Sequence, residues 1–134
     1  MAVDIEIRKL EVKKDERGWL AEMLRREEMG SHTRFGQFLI TTANPGYVKG
    51  NHYHKRKTEW FCVIKGRAEV TFENVKTREK KTIILDEKEP TIVKINPFTN
   101  HSVKNIGKDE MYLLAYVDDV YEEKDSDTFR VEKV

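Results

Sequence analysis

The residue types best suited to chemistry fall in two short stretches. Gly50-Asn51-His52-Tyr53-His54 is followed by Glu59 and Gly66, and Pro97-Phe98-Thr99-Asn100-His101 is followed by Asn105. These stretches hold three of the chain's four histidines. Side chains two apart on a strand share a face, so a strand over residues 50–54 projects His52 and His54 together. A turn over Lys55 to Thr58 and a return strand from Glu59 then set a carboxylate beside the two imidazoles. Imidazole and carboxylate are ligands for zinc, iron, manganese or nickel, and three His with one Glu form a plausible ligand set for one divalent ion. A His-x-His pair alone is ordinarily a surface feature, and Glu is common in this chain. The joint spacing of His52, His54, Glu59 and His101 is what carries information. The fourth histidine, His32, sits in a Gly30-Ser31-His32-Thr33 segment and reads as solvated.

Short strands must position these groups. Ala68, Val70 and Phe72 alternate with Glu69, Thr71 and Glu73, the period-2 pattern of a half-buried strand. Phe35 to Thr42, Glu59 to Ile64, Lys81 to Leu85, Thr91 to Ile95 and Met111 to Val117 also read as strands, as does Val3 to Val12. Asn44-Pro45-Gly46, Lys65-Gly66, Asp86 to Pro90, Asn96-Pro97 and Gly107-Lys108-Asp109 separate them. Only Leu20 to Glu28 has a pattern open to helix, and it fits an early strand equally. The last ten residues are polar and are expected to lie over the surface. Many short strands at this spacing predict an all-β sandwich or barrel of about ten strands.

The 134 residues suit one domain with one core. Twenty-five basic and twenty-four acidic residues leave a net charge of +1, so no basic excess marks a nucleic-acid or lipid surface. The longest apolar run, Met111 to Val117, is far short of a membrane span. The N-terminal residues lack the basic and apolar regions of a secretory signal, and a lone Cys62, read as an inert buried thiol, fits a reducing compartment. The expected location is the cytoplasm.

The two motifs resemble those of the cupin superfamily. His52, His54, Glu59 and Gly66, with Gly46 six positions before His52, match the first motif, and Pro97, His101 and Asn105 match the second. The Pro-to-His turn is one residue shorter than the commonest form, as in the sugar-nucleotide branch. Asp15-Glu16-Arg17-Gly18-Trp19 resembles a segment near the start of the deoxysugar 3,5-epimerases, Lys49-Gly50-Asn51-His52 resembles their Arg-Gly-Leu-His, and Tyr121 lies where they carry a catalytic Tyr. The chain is also similar to the C-terminal cupin domain of bifunctional capsular-polysaccharide enzymes, through Gly50 to His54, Glu59, Pro97 to His101, Asn105-Ile106-Gly107 and Asp127-Thr128-Phe129. The resemblance implies a cupin-type double-stranded β-helix (jelly roll) as a single domain over 1–134. It implies a metal-binding barrel over about 35–118, with N-terminal strands within 1–30 at a homodimer interface. It implies one divalent ion, zinc first, on His52, His54, Glu59 and His101. It also implies substrate contacts from Arg17, Lys49 and Asn51, and catalytic roles for His52 and Tyr121. The capsular enzymes carry a fused reductase that these residues do not include, so a separate reductase is an expected partner.

The implied activity is epimerisation of a nucleotide-linked 4-keto-6-deoxy sugar in cell-surface polysaccharide synthesis. A ketone acidifies the neighbouring C–H; a base removes that proton, an enolate forms, and an acid returns a proton to the opposite face. His52 is either a ligand or the general base, because one ring nitrogen cannot hold a metal and accept a proton. The metal-free epimerases use the equivalent histidine as base and carry Gln and Lys where this chain has His54 and Glu59. Two other functions compete. One is a metal-dependent dioxygenase or isomerase of another cupin branch, against which Arg17, Lys49 and Asn51 make the surroundings polar. The other is a sugar- or metabolite-binding module without catalysis.

Overall fold

A computed structural model describes residues 3–30 and 35–131. His32 lies outside the described residues. Eleven strands, and no α-helix, occur among them. In chain order they are β1 (Ile5–Lys9), β2 (Lys13–Asp15), β3 (Gly18–Leu20), β4 (Gln37–Ala43), β5 (Val48–His52), β6 (Glu59–Lys65), β7 (Arg67–Asn74), β8 (Lys80–Asp86), β9 (Thr91–Ile95), β10 (Thr99–Asn105) and β11 (Met111–Val117). Five of them form one antiparallel sheet in the order β1-β9-β6-β11-β4, and four form a second in the order β5-β10-β7-β8. β2 and β3 make a separate hairpin. This is the expected jelly roll, with two antiparallel sheets enclosing one core.

The expected alternation is seen in β7, where Ala68, Val70 and Phe72 are buried between the sheets. They pack with Phe61, Val63, Val93, Ile95, Leu113 and Ala115. β6 is apolar on both faces. Phe61 and Val63 enter this core, while Trp60 and Cys62 join Ile92 and Tyr116 in a second cluster. Leu10, Met23, Leu24 and Met29 cover that second cluster. This explains the ambiguous 20–28 segment. It ends a hairpin strand at Leu20 and makes one 3-10 turn over Arg26–Met29, and its apolar residues act as a cover rather than as a helix face.

Two expectations need correction. Residues 50–54 and the strand from Glu59 do not form a hairpin. β5 pairs with β10, and β6 pairs with β9 and β11, so the chain crosses between sheets over residues 53–58. The last ten residues are not simply a surface cover: Asp127 is buried, and Tyr53 and Phe129 exchange two backbone hydrogen bonds. Strand β1 pairs along its length with β9 of its own chain, from Ile5 opposite Ile95 to Lys9 opposite Thr91.

Close packing at Gly36 fixes the entry to β4. Its N–H donates to the Tyr116 hydroxyl at 3.0 Å. A Cβ there would lie 2.0 Å from the Val117 carbonyl oxygen and 2.4 Å from the Asp119 nitrogen. The backbone of residues 117–119 cannot yield as a side chain would. Gly36→Ala is expected to cost at least about 2 kcal/mol, in the manner of other overpacked sites. Its denaturant midpoint should fall well below wild type, and an unchanged midpoint would contradict this packing.

Candidate metal centre and active site

The four candidate ligands come together from both sheets. His52 ends β5, His54 follows it in the crossing, Glu59 opens β6, and His101 lies in β10. Their ligand atoms all lie within 4.8 Å of one another. His101 pairs with His52 across β5 and β10, and the register shifts at the next position, where Ser102 pairs with Gly50. Asn51 is the extra residue of this bulge, with φ 62°, beside Gly50 at φ 82°. A bulge re-aims the side chain next to it. Here it turns His52 toward His101, with ring centroids 4.8 Å apart. Space favours Gly50 as well, since a Cβ would press on the His101 carbonyl oxygen at 3.1 Å.

Hydrogen bonds orient the ligands. The Nδ1–H of His54 donates to the Asp127 carbonyl at 2.7 Å, which leaves Nε2 facing Glu59 Oε1 at 3.3 Å. His101 Nδ1 lies 3.3 Å from the Thr99 carbonyl, and its Nε2 lies 3.5 Å from the same Glu59 oxygen. Ligands on a tetrahedral ion at ~2.1 Å stand about 3.4 Å apart, so these two separations already suit one shared ion. Backbone carbonyls on the outer ring nitrogens are the usual way a protein fixes a ligating tautomer. The donor set therefore fits a divalent metal.

The electrostatics agree. Burial opposes the Glu59 charge, yet the His101 and His54 rings hold its carboxyl far below the usual carboxylate range. Burial, with His101 beside it, pushes His52 down to about 4, so the ring is neutral with a lone pair to offer. Burial also lowers His54, but the Glu59 hydrogen bond and the Asp127 carbonyl outweigh it and leave the ring raised.

A cavity of about 300 Å³ opens on this cluster, at the small end of ligand sites. Its walls include Lys49, His52, Lys57, Glu59 and Tyr121, with Leu39, Phe61 and Leu113 as its apolar lining. Of the residues singled out beyond the ligands, Lys49 and Tyr121 reach the cavity. The Tyr121 backbone N–H donates to Gln37 Oε1 at 2.8 Å. Asn51 and Arg17 are not among its lining residues. The Asn51 Oδ1 accepts from Asn100 Nδ2 at 3.2 Å, because the bulge turns Asn51 away as it turns His52 in. Arg17 pairs with Asp15 in the β2–β3 hairpin, Nη2 to Oδ2 at 2.6 Å.

Asp127 is a site residue whose role sequence reasoning missed. Its carboxylate accepts the backbone N–H groups of Lys55, Arg56 and Lys57 at 2.9, 2.9 and 3.0 Å. Burial opposes its charge, but these three donors keep its carboxyl below the usual range. One residue thus holds both the crossing loop and His54. Asp118 completes the pinning by accepting the Thr58 N–H at 3.0 Å.

With this geometry in view, the comparisons with known proteins converge. The family described as polysaccharide biosynthesis C-terminal domain matches residues 13–129. The chain belongs to this family. A relative named UDP-2-acetamido-2,6-beta-L-arabino-hexul-4-ose reductase, from Pseudomonas aeruginosa, is 36% identical over 115 residues. That match covers 86% of this chain but 29% of the reductase, so the chain spans under a third of that relative's length. The probable low-salt glycan biosynthesis epimerase Agl13 of Haloferax volcanii is 29% identical over 136 residues, covering 96% of this chain and 86% of that protein. Among solved structures, dTDP-6-deoxy-D-glucose-3,5-epimerase RmlC from Legionella pneumophila, in complex with dTDP-4-keto-L-rhamnose, aligns with a TM-score of 0.82 at 16% identity. That match covers 97% of this chain and 73% of RmlC, and it shows the shared fold. No helix among the described residues is long and apolar enough to cross a membrane.

The Asp127 assignment is testable through metal affinity. Asn tolerates φ 47° at this position, but its amide keeps one acceptor oxygen and turns an NH2 toward a backbone N–H, so Asp127→Asn removes the charge and part of the pinning together. Competition with a chromophoric chelator should show zinc bound about 10-fold or more weakly, the usual loss when a supporting partner of a ligand is removed. Wild-type affinity would show that the loop does not depend on this carboxylate. His54→Ala, which removes a candidate ligand itself, should lose most of any metal found by elemental analysis of wild type.

Proposed function

We propose that this chain is an epimerase acting on a nucleotide-linked 4-keto-6-deoxy sugar in cell-surface polysaccharide synthesis. The observation that carries the reading is the cavity. It sets a cationic side chain at its rim and a phenol at its wall beside a buried metal-competent cluster, in a chain 29% identical to a glycan biosynthesis epimerase over nearly its whole length. The proposed metal is one zinc ion on His52, His54, Glu59 and His101. When bound it supplies positive charge next to the ketone. In this reading His52 is a ligand rather than the base. A base works best with a pKa near the working pH, and a ring held near 4 is better suited to giving its lone pair to a metal.

The remaining roles fall to the chain's own side chains. Tyr121 carries a proton on one face of the sugar ring. Lys49, exposed at the rim, meets the nucleotide diphosphate. Arg17 takes part in substrate binding only across a homodimer, since it does not reach the cavity of its own chain. The β2–β3 hairpin is suited to that interface, because Trp19 and Leu20 on it are 55% and 59% exposed. A separate reductase follows in the same route, by analogy with the Pseudomonas relative's name.

Enolate formation has a direct test. In heavy water, the protein should exchange a ring hydrogen of a UDP- or dTDP-linked 4-keto-6-deoxy sugar for deuterium, and absence of exchange with both would end the epimerase reading. Tyr121→Phe keeps the ring and removes the hydroxyl, so net epimerisation should fall about 10²-fold or more. Epimerisation at the wild-type rate would make Tyr121 structural. For the dimer, light scattering at micromolar concentration should give twice the mass of one chain, and Trp19→Asp with Leu20→Asp should halve it. A wild-type monomer would contradict the interface.

A further inference from the structure

Lys57 is a buried cation that the roles above leave unused. It is 3% exposed, yet it lines the cavity alongside Glu59 and Tyr121. Its backbone N–H is held by Asp127, and its Nζ donates to the Ser126 carbonyl at 3.1 Å. The same Nζ lies 5.7 Å from the centre of the Tyr121 ring. Among the described residues no carboxylate forms an ion pair with it. The neutral carbonyl satisfies one of its three donors, and the open space beside it is the cavity.

We propose that Lys57 is a catalytic residue that receives the negative charge developing on the substrate's ketone oxygen. The proposal rests on the epimerase reading. When the C–H beside the ketone gives its proton to a general base on the ring face opposite Tyr121, the C–H electron pair becomes a C=C bond and the carbonyl π pair moves onto oxygen. The Lys57 ammonium donates a hydrogen bond to that oxygen and keeps its own proton. When a proton returns to carbon, the electron pairs move back and the ketone is restored. A donor held in place before the charge appears favours the enolate over the ketone, and that difference accelerates the step. Depth separates this role from diphosphate binding. Lys49 is exposed at the rim, where a diphosphate reaches solvent, whereas Lys57 is enclosed next to the proposed proton carrier. The pinning of residues 55–57 by Asp127 supplies the rigidity such a donor needs, because a misplaced donor loses most of its effect.

The test compares wild type with Lys57→Met, Lys57→Arg and Lys57→Ala. It reads deuterium incorporation from heavy water into a UDP- or dTDP-linked 4-keto-6-deoxy sugar, together with affinity for UDP and dTDP alone, bound metal and melting temperature. The expected result is a loss of about 10²–10³-fold in exchange at saturating substrate for Lys57→Met, with nucleotide affinity and metal content within about twofold of wild type. Lys57→Arg should recover part of the rate, and added ethylammonium should recover part of it in Lys57→Ala. If Lys57→Met does not fold, the Lys57→Arg rate and ethylammonium rescue of Lys57→Ala decide, and no rescue overturns the proposal. Wild-type exchange in Lys57→Met overturns it while leaving the epimerase reading intact. A loss confined to nucleotide affinity overturns it in favour of a diphosphate contact. No exchange by wild type overturns the epimerase reading and this proposal together.

Discussion

A carboxylate buried against three imidazoles is the constraint on which the site depends. Glu59 is enclosed at the start of β6, and a buried charge is tolerable only when paired and hydrogen-bonded. Its partners come from the opposite sheet and from the crossing that joins the two. Each neighbouring feature answers that need. The bulge at Asn51 turns one ring inward, the Asp127 and Thr99 carbonyls hold the outer nitrogens of the other two, and the Asp127 carboxylate ties down the loop between them. Alone, the rings would have to share protons to balance Glu59. A divalent ion at the centre would remove that demand and would use candidate ligand atoms already in place.

The strands explain why such a cluster is affordable in so small a domain. The core between the sheets is packed with Phe61, Phe72, Val93 and Leu113, and a second apolar layer outside β6 is covered by Leu10 and the 20–29 segment. β6 is thus clamped on both faces, and Glu59 projects from a rigid support. Rigidity of this kind is what metal binding and charge stabilisation share, since both lose strength when donors must be reorganised.

Much of this was legible in the residues. Period-2 alternation located Thr91–Ile95 and Met111–Val117 as strands with the observed limits, and the His and Glu spacing identified the whole ligand cluster. Pairing was not legible. Alternation says which residues share a face but not which strand lies alongside, so a crossing between sheets read as a hairpin. The motif resemblance alone ties Asn51 to the substrate, although alternation already sets it on the face opposite His52 and His54, and nothing in the local pattern announces a positive φ there. Arg17 was placed at the site by motif alone, whereas its nearest charge is Asp15 two residues away. The motif ending Asp127-Thr128-Phe129 was visible, but a contact 73 residues from His54 leaves no periodic trace.

The measurement that tests the account most directly is anomalous X-ray scattering from crystals grown without chelators, recorded on both sides of the zinc absorption edge. The account predicts one anomalous peak per chain, within coordination distance of the Nε2 atoms of His54 and His101, a His52 ring nitrogen and a Glu59 oxygen. An empty cluster in zinc-supplemented crystals, or a peak elsewhere with the four side chains unchanged, would contradict it.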